Sequence, residues 1–333
     1  MSLISRVLAS RFLRWGFVAL TVALGAYYVA DQWGGIHHAL DRIGLLTSFL
    51  SLVSVVAALL CTMLVWRTLL AGLGSPLSVP VASRVLFVGQ LGKYLPGSVW
   101  PVLAQMELAT EHNVPRLRTG AASIVNMGLS LLCALLTAFV TLPFTSGFTR
   151  YWWAFLMALP LLACLYPPVL NRLLRLGFKI LRRPALEQPL TGRVIAVAMA
   201  WSILSWVCYG AQVWVLMIKL GAHAGPSLPL SVGAFAFAWA VGFVIVLAPA
   251  GAGFRDVLLV ALLTPVIGTG PATAITLVSR IVTTLADMIT ASVAVLSYRH
   301  SKNRQAALFA GESVGPREEE RTVTGSPASV REN

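Results

Sequence analysis

The side chains with the most chemistry in this sequence are charges set inside apolar runs. In the last long run, Thr273, Thr276, Arg280, Thr283, Thr284 and Asp287 follow at spacings of three and four, which puts them on one face of a helix. An arginine or aspartate at the centre of a membrane helix costs about 2.5–3.5 kcal/mol on insertion scales. Such residues are expected to have partners or to face a polar cavity. Arg280 and Asp287 are seven residues apart, about 10 Å along a helix axis, too far for direct pairing without bending of the arginine. Asp256 and Arg255 are the expected partners, one for each. Structural ion pairing is the competing reading of the same charges.

Two other stretches bring charge beside a broken backbone. The first is Gly89-Gln90-Leu91-Gly92-Lys93-Tyr94-Leu95-Pro96-Gly97-Ser98-Val99-Trp100-Pro101. Pro96 and Pro101 each lack a backbone donor, and Pro96-Gly97 signals a turn. Two half-helices, 81–93 and 99–110, are expected to meet there as a re-entrant hairpin. A surface-lying cytoplasmic loop is the alternative. The second is Ala248-Pro249-Ala250-Gly251-Ala252-Gly253-Phe254-Arg255-Asp256. Backbone freed at such breaks must be buried in protein or line a wet cavity. A pair of interrupted segments, one in each half of a chain, points to a transporter site. Half-helix starts offer free N–H groups suited to phosphate, and Lys93 and Arg255 would add full charges. The helix-break residues in this reading are Pro96, Gly97, Pro249, Gly251 and Gly253. The substrate-binding candidates are Lys93, Tyr94, Trp100, Arg255, Asp256, Arg280 and Asp287.

The elements that must hold these groups are membrane helices. The 333 residues are 57% hydrophobic and only 11% charged, with a mean hydropathy of +0.80. A soluble domain carries about 25% charge, so a polytopic all-α membrane bundle is expected. Spans of roughly 20 residues, enough to cross about 30 Å of hydrocarbon, fall near 15–31, 44–66, 119–142, 151–168, 194–219, 231–248, 252–268 and 273–298. That makes about eight crossings, with one or two segments broken or re-entrant. The N-terminal run resembles a signal peptide, but an uncleaved first helix is preferred because another span follows directly. Residues 1–304 form the expected membrane domain, and 305–333 read as a disordered cytoplasmic tail.

The net charge of +13 sits at the edges of apolar runs, as in Arg6, Arg11 and Arg14, or the loop 169–193. It sets orientation and meets anionic head groups; nucleic acid is not an expected partner. Positive-inside places both termini and the central basic loop in the cytoplasm, in a cytoplasmic (inner) membrane. Cys61, Cys133, Cys164 and Cys208 all fall inside apolar runs without metal-ligand spacing, so neither a metal nor another cofactor is expected. No P-loop, GxSxG or HExxH motif appears, and enzyme chemistry is not expected. Ser123, Asn126 and Ser130 share one helix face, and Ser202, Ser205, Tyr209 and Gln212 another. Small polar residues of this kind commonly tie membrane helices together.

Gly92-Lys93-Tyr94-Leu95-Pro96-Gly97 with Trp100, Pro249-Ala250-Gly251-Ala252-Gly253-Phe254-Arg255-Asp256, and Ser279-Arg280 together resemble three signatures of one family. These are a GKYxPG-type motif, a PxGxGxRE-type motif with aspartate where glutamate is usual, and a third in the final helix. The family is the lysylphosphatidylglycerol synthase transmembrane, or flippase-like, family of bacteria and archaea. The resemblance implies a membrane region that translocates lipid, with a separate cytoplasmic domain transferring lysine from tRNA in synthase members. This sequence ends in a short polar tail, so lysyl transfer is not expected. The leading expectation is a flippase for an anionic phospholipid or a polyprenyl-phosphate-linked glycan. The alternative is a membrane scaffold or accessory subunit for a glycosyltransferase or lipid-modifying enzyme.

Overall fold

The computed structural model describes residues 33–94, 99–144, 153–180, 190–244 and 253–312. The regular structure among them is helical throughout. Helix α1 runs Trp33–Gly72. It is broken at Gly44, whose φ of 67° and ψ of 168° suit only glycine, so the apolar span starts near this point. A first helical arm, α2 (Val79–Gln90), ends in a 3-10 turn at Leu91–Tyr94, and α3 (Trp100–Thr110) returns from it. There follow α4 (Arg116–Thr141), α5 (Trp153–Leu165), α6 (Pro167–Ile180) and α7 (Gly192–Lys219). The chain continues through α8 (Ala224–Val244), α9 (Phe254–Ile267) and α10 (Thr269–Glu312).

Five helical stretches among the described residues are long and apolar enough to cross a membrane: Asp41–Gly72, Arg116–Phe144, Gly192–Lys219, Ala224–Val244 and Thr269–Ser301. They cover the expected spans 44–66, 119–142, 194–219 and 273–298, and 231–244 of the span expected at 231–248, whose last four residues lie outside the described ones. The span expected at 15–31 lies outside the described residues. The other two hold shorter described helices. Within 151–168 the described part is α5, Trp153–Leu165, with residues 145–152 outside the described ones, and within 252–268 it is the 14-residue α9. At 1.5 Å per residue these measure about 20 Å, too short to span alone. Pro167 starts a new helix after α5, and α9 cannot begin before the cap at Gly253. Two further boundaries move. The basic stretch 169–193, expected as a loop, contains helix α6. Helix α10 continues to Glu312, past the boundary expected at 304, because Gln305, Ala306, Ala307 and Leu308 are good helix formers.

The bundle is held by close packing and by polar ties. Trp66, Leu69, Leu70, Phe235, Leu216 and Met217 are fully buried. Helix α7 lies along α1. Ser51 donates to Gln212 Oε1 at 3.1 Å, and Gln212 Nε2 donates to Ser279 Oγ at 2.7 Å. Thr62 and Ser205 share a hydrogen bond of 3.0 Å. One contact is close enough to demand glycine: a Cβ on Gly210 would lie 2.4 Å from Val232 Cα, so α7 and α8 touch backbone to backbone. The outward faces remain apolar, with Leu45, Phe49, Ile281, Val293 and Leu296 more than half exposed. That surface suits lipid tails, not water.

The α2–α3 hairpin stands beside α10. At its base, Arg84 holds Glu111 at 2.7 Å and lies 4.5 Å over the Tyr298 ring, while the His112 ring meets Tyr298 edge-on at 5.5 Å. At its tip, Lys93 reaches Asp287. Tyr298 and Asp287 are eleven residues apart on α10, so the hairpin advances about 16 Å along that helix. This length is about half a hydrocarbon core, as the expected re-entrant hairpin requires. The turn residues Pro96 and Gly97 lie outside the described residues.

Candidate functional site

Asp287 is the most enclosed charge in the centre of the bundle, its side chain 8% exposed. One of its oxygens, Oδ2, takes both Lys93 Nζ and the Tyr94 hydroxyl at 2.6 Å each. Lys93 and Tyr94 are the last two residues of the 3-10 turn that ends the α2 arm. Successive side chains of such a turn diverge by about 120°, and it is the length of the lysine and tyrosine side chains that brings both to one carboxylate. Gly92 makes room for the return. A Cβ there would lie 2.9 Å from both Pro101 N and the Trp100 carbonyl carbon, which are backbone atoms that cannot give way. Trp100 thus opens α3 directly against the turn, with its side chain partly exposed.

The second break approaches the same helix from its other half. Gly253 caps α9 with φ 92° and ψ −69°, a backbone state that a side chain would strain. Its N–H donates to Asp256 Oδ2 at 3.3 Å, so the carboxylate closes the helix start and satisfies one of its free donors. The same Oδ2 lies 3.8 Å from Arg280 Nη1, a loose ion pair with both side chains about 30% exposed. Helix α9 ends at Ile267 and turns at once into α10. It therefore packs along the first half of α10, as the hairpin packs along the second.

Arg255 takes a different position from the one expected. Its guanidinium carbon sits 4.7 Å over the Phe235 ring of α8, a cation–π contact that gains strength where water is excluded. Its Nε is buried without a hydrogen-bond partner among the described residues. Gly242 permits this approach, since a Cβ there would meet Arg255 Cβ at 2.9 Å. The expected partnership of Asp256 with Arg280 is present. That of Arg255 with Asp287 is not, because Lys93 and Tyr94 already occupy the carboxylate. Arg280 and Asp287 do not pair with each other, as their spacing requires.

Lys93, Tyr94, Arg255, Asp256, Arg280 and Asp287 thus surround the middle of α10, with Tyr209 of α7 close enough to feel the charges of Asp287 and Arg255. Pro249 and Gly251 lie outside the described residues. Tyr209 and Phe235 were not sequence candidates for this site. Phe235 carries no signal beyond its helix, whereas Tyr209 stood on the polar face of α7. The threonine stripe of α10 proves mostly self-satisfied: Thr273, Thr276, Thr283, Thr284 and Thr290 all donate to carbonyls within their own helix, a usual outcome for threonine in apolar helices. Ser123, Ser205 and Gln212 act as interhelix ties, Ser123 linking Trp66 Nε1 at 3.1 Å to Gln105. Glu107 and Glu111 are taken by Arg116 and Arg84 near the base of the hairpin.

The sequence model described as Lysylphosphatidylglycerol synthase TM region matches residues 3–291. The chain belongs to this family of multi-pass membrane regions, as its three motifs anticipated. Among curated proteins none matches the sequence.

Proposed function

For a member of this membrane family, we propose lipid translocation: the chain moves an anionic lipid, a phospholipid or a polyprenyl-phosphate-linked glycan, between leaflets of the cytoplasmic membrane. The observation that carries the reading is the meeting of two broken segments at mid-helix, one along each half of α10. Three cations, Lys93, Arg255 and Arg280, stand there against two carboxylates, Asp256 and Asp287. Three minus two leaves one positive charge, which suits a phosphodiester monoanion. Arg280 is the first contact in this scheme. Its pairing at 3.8 Å leaves its planar donor fork open to bidentate phosphate binding. Arg255 Nε is a further unused donor. Tyr94 and Trp100 stand at the two sides of the hairpin turn, and the carboxylates balance the cations while no lipid is bound. Both termini and the basic end of the bundle face the cytoplasm in this reading, and no bond is made or broken.

The test is reconstitution into vesicles with a panel of labelled lipids, comparing wild type with Arg280→Met. The expected result is accelerated translocation of at least one phosphate-bearing lipid, lost in the variant. Wild-type protein that accelerates none of them would overturn the proposal. One observation favours a second reading: Asp287 Oδ2 already holds both Lys93 and Tyr94, as in a structural tie. In that case the chain is a scaffold for a glycosyltransferase or lipid-modifying enzyme. Joint replacement of Arg280 by Met and Asp287 by Leu separates the two, since a scaffold keeps its partner and a transporter loses transport.

A further inference from the structure

Helix α6 takes no part in the central site, yet its surface is strongly organised. Arg172, Arg175 and Lys179 are all exposed. Their spacings of three and four place them within about 60° of one another around a helix. Leu170 lies on the opposite side and is buried. Leu176, on the edge of the basic face, is 53% exposed. With Arg172, Arg175 and Lys179 it lines a shallow groove of about 410 Å³. Between Pro167 and Ile180 there is no acidic residue.

The position of the helix is also fixed. Asn171 clasps the main chain of Leu190 from both sides, Nδ2 donating to the carbonyl at 2.8 Å and Oδ1 accepting from the N–H at 3.1 Å. Leu190 directly precedes the Thr191 cap of α7, where the Thr191 hydroxyl accepts from the Val194 N–H. Pro167 lies next to the start of α7, where a Cβ added to Gly192 would meet Pro167 Cγ at 3.5 Å. The start of α6 is therefore fixed beside the start of α7, a helix long and apolar enough to cross a membrane.

We propose that α6 is an interfacial helix whose Arg172–Arg175–Lys179 face binds the phosphates of anionic lipids in the adjoining leaflet, with Leu176 entering the acyl boundary. A helix with a cationic face and an apolar back lies in the interface plane. Each cation near an anionic surface is worth about fivefold in binding, so three give on the order of a hundredfold. The site is separate from the charges on α10 and stands whether or not the protein moves lipid.

The test is hydrogen exchange of residues 167–180 in the full chain, held in nanodiscs of phosphatidylcholine alone or mixed with phosphatidylglycerol. The expected result is exchange at least about tenfold slower in the anionic discs, with the difference falling as salt shortens the screening length. The joint variant R172Q/R175Q/K179Q should lose that difference, while exchange in α7 stays unchanged as a check on folding. Inorganic phosphate added to phosphatidylcholine discs separates a lipid head group from a free anion. Protection by phosphate alone would overturn the lipid assignment. So would equal exchange in both discs, which would leave the face to an acidic protein surface.

Discussion

Breaking the contact between Lys93 and Asp287 gives the most direct measurement of what the two broken segments contribute. The charges are 2.6 Å apart, with Asp287 8% and Lys93 33% exposed. At an effective dielectric of about 20, their direct attraction is about 6 kcal/mol before desolvation is subtracted. Removing one member of a buried pair typically costs about 3–5 kcal/mol, because the other charge is left uncompensated. Two features reduce that here. Tyr94 still donates to Asp287 at 2.6 Å, and Lys93 retains some exposure. Lys93→Met and Asp287→Asn should therefore each cost about 3 kcal/mol, at the low end of that range. The double variant should cost about 4 kcal/mol, since neither charge is then stranded, leaving a coupling of about 2 kcal/mol. Reversible unfolding in mixed micelles, run on wild type, both single variants and the double, measures it. Costs that add to within about 0.5 kcal/mol would show that the contact carries no coupling. The hairpin tip would then be held by apolar packing alone. If the transport proposal also holds, both single variants and the double lose transport, although the double costs about 2 kcal/mol less than the two singles summed.

Two further outcomes rest on the frame around the site. Gly210→Ala sets a methyl 2.4 Å from the Val232 Cα; because a backbone atom is in the way, α7 and α8 must separate, at a cost of about 1–3 kcal/mol. A lowered melting temperature and yield are expected, and a wild-type melting curve would contradict the backbone contact. At the base of the hairpin, burial first and then the Arg84 charge hold His112 below the ordinary histidine value. The unfolded chain then binds a proton that the folded one resists, so stability is full above about pH 6.5 and falls as pH drops below it. His112→Phe keeps the ring against Tyr298 and should flatten that acid limb; an unchanged pH profile would remove His112 as its cause.

What the sequence made legible followed from local periodicity. Arg280 and Asp287 stand out because a three-and-four spacing shows without any tertiary information, and that spacing already forbade their pairing. The two breaks were visible because proline and glycine act on their own backbone. Partner choice was different in kind. Asp287 could be matched with Lys93 only after α2 was known to pack along the second half of α10, nearly two hundred residues away in sequence. The same holds for Phe235 beneath Arg255. The three cations of α6 were seen as charge but assigned to a loop; their spacing of three and four is helical, and that signal was available. Helix ends were harder to read than helix centres: hydropathy runs on through Pro167, where α5 has ended and α6 begins, and through Gly253, where the cap starts α9.

The two breaks meet α10 with opposite polarity. The first brings a cation, Lys93, to the helix's aspartate; the second brings an anion, Asp256, to its arginine. Each insertion is thereby neutralised by the helix it joins, which lowers the cost of holding charge at mid-membrane. Each can also be released by an ion that competes for one side only. An incoming phosphate competes with the carboxylates. It meets the loose pair at Arg280 with little to displace, and the tight pair at Lys93 only by separating a 2.6 Å contact. On the transport reading the two sites are therefore engaged in order, Arg280 and Arg255 first and Lys93 second. The step that moves the hairpin tip is the one that needs the head group already bound.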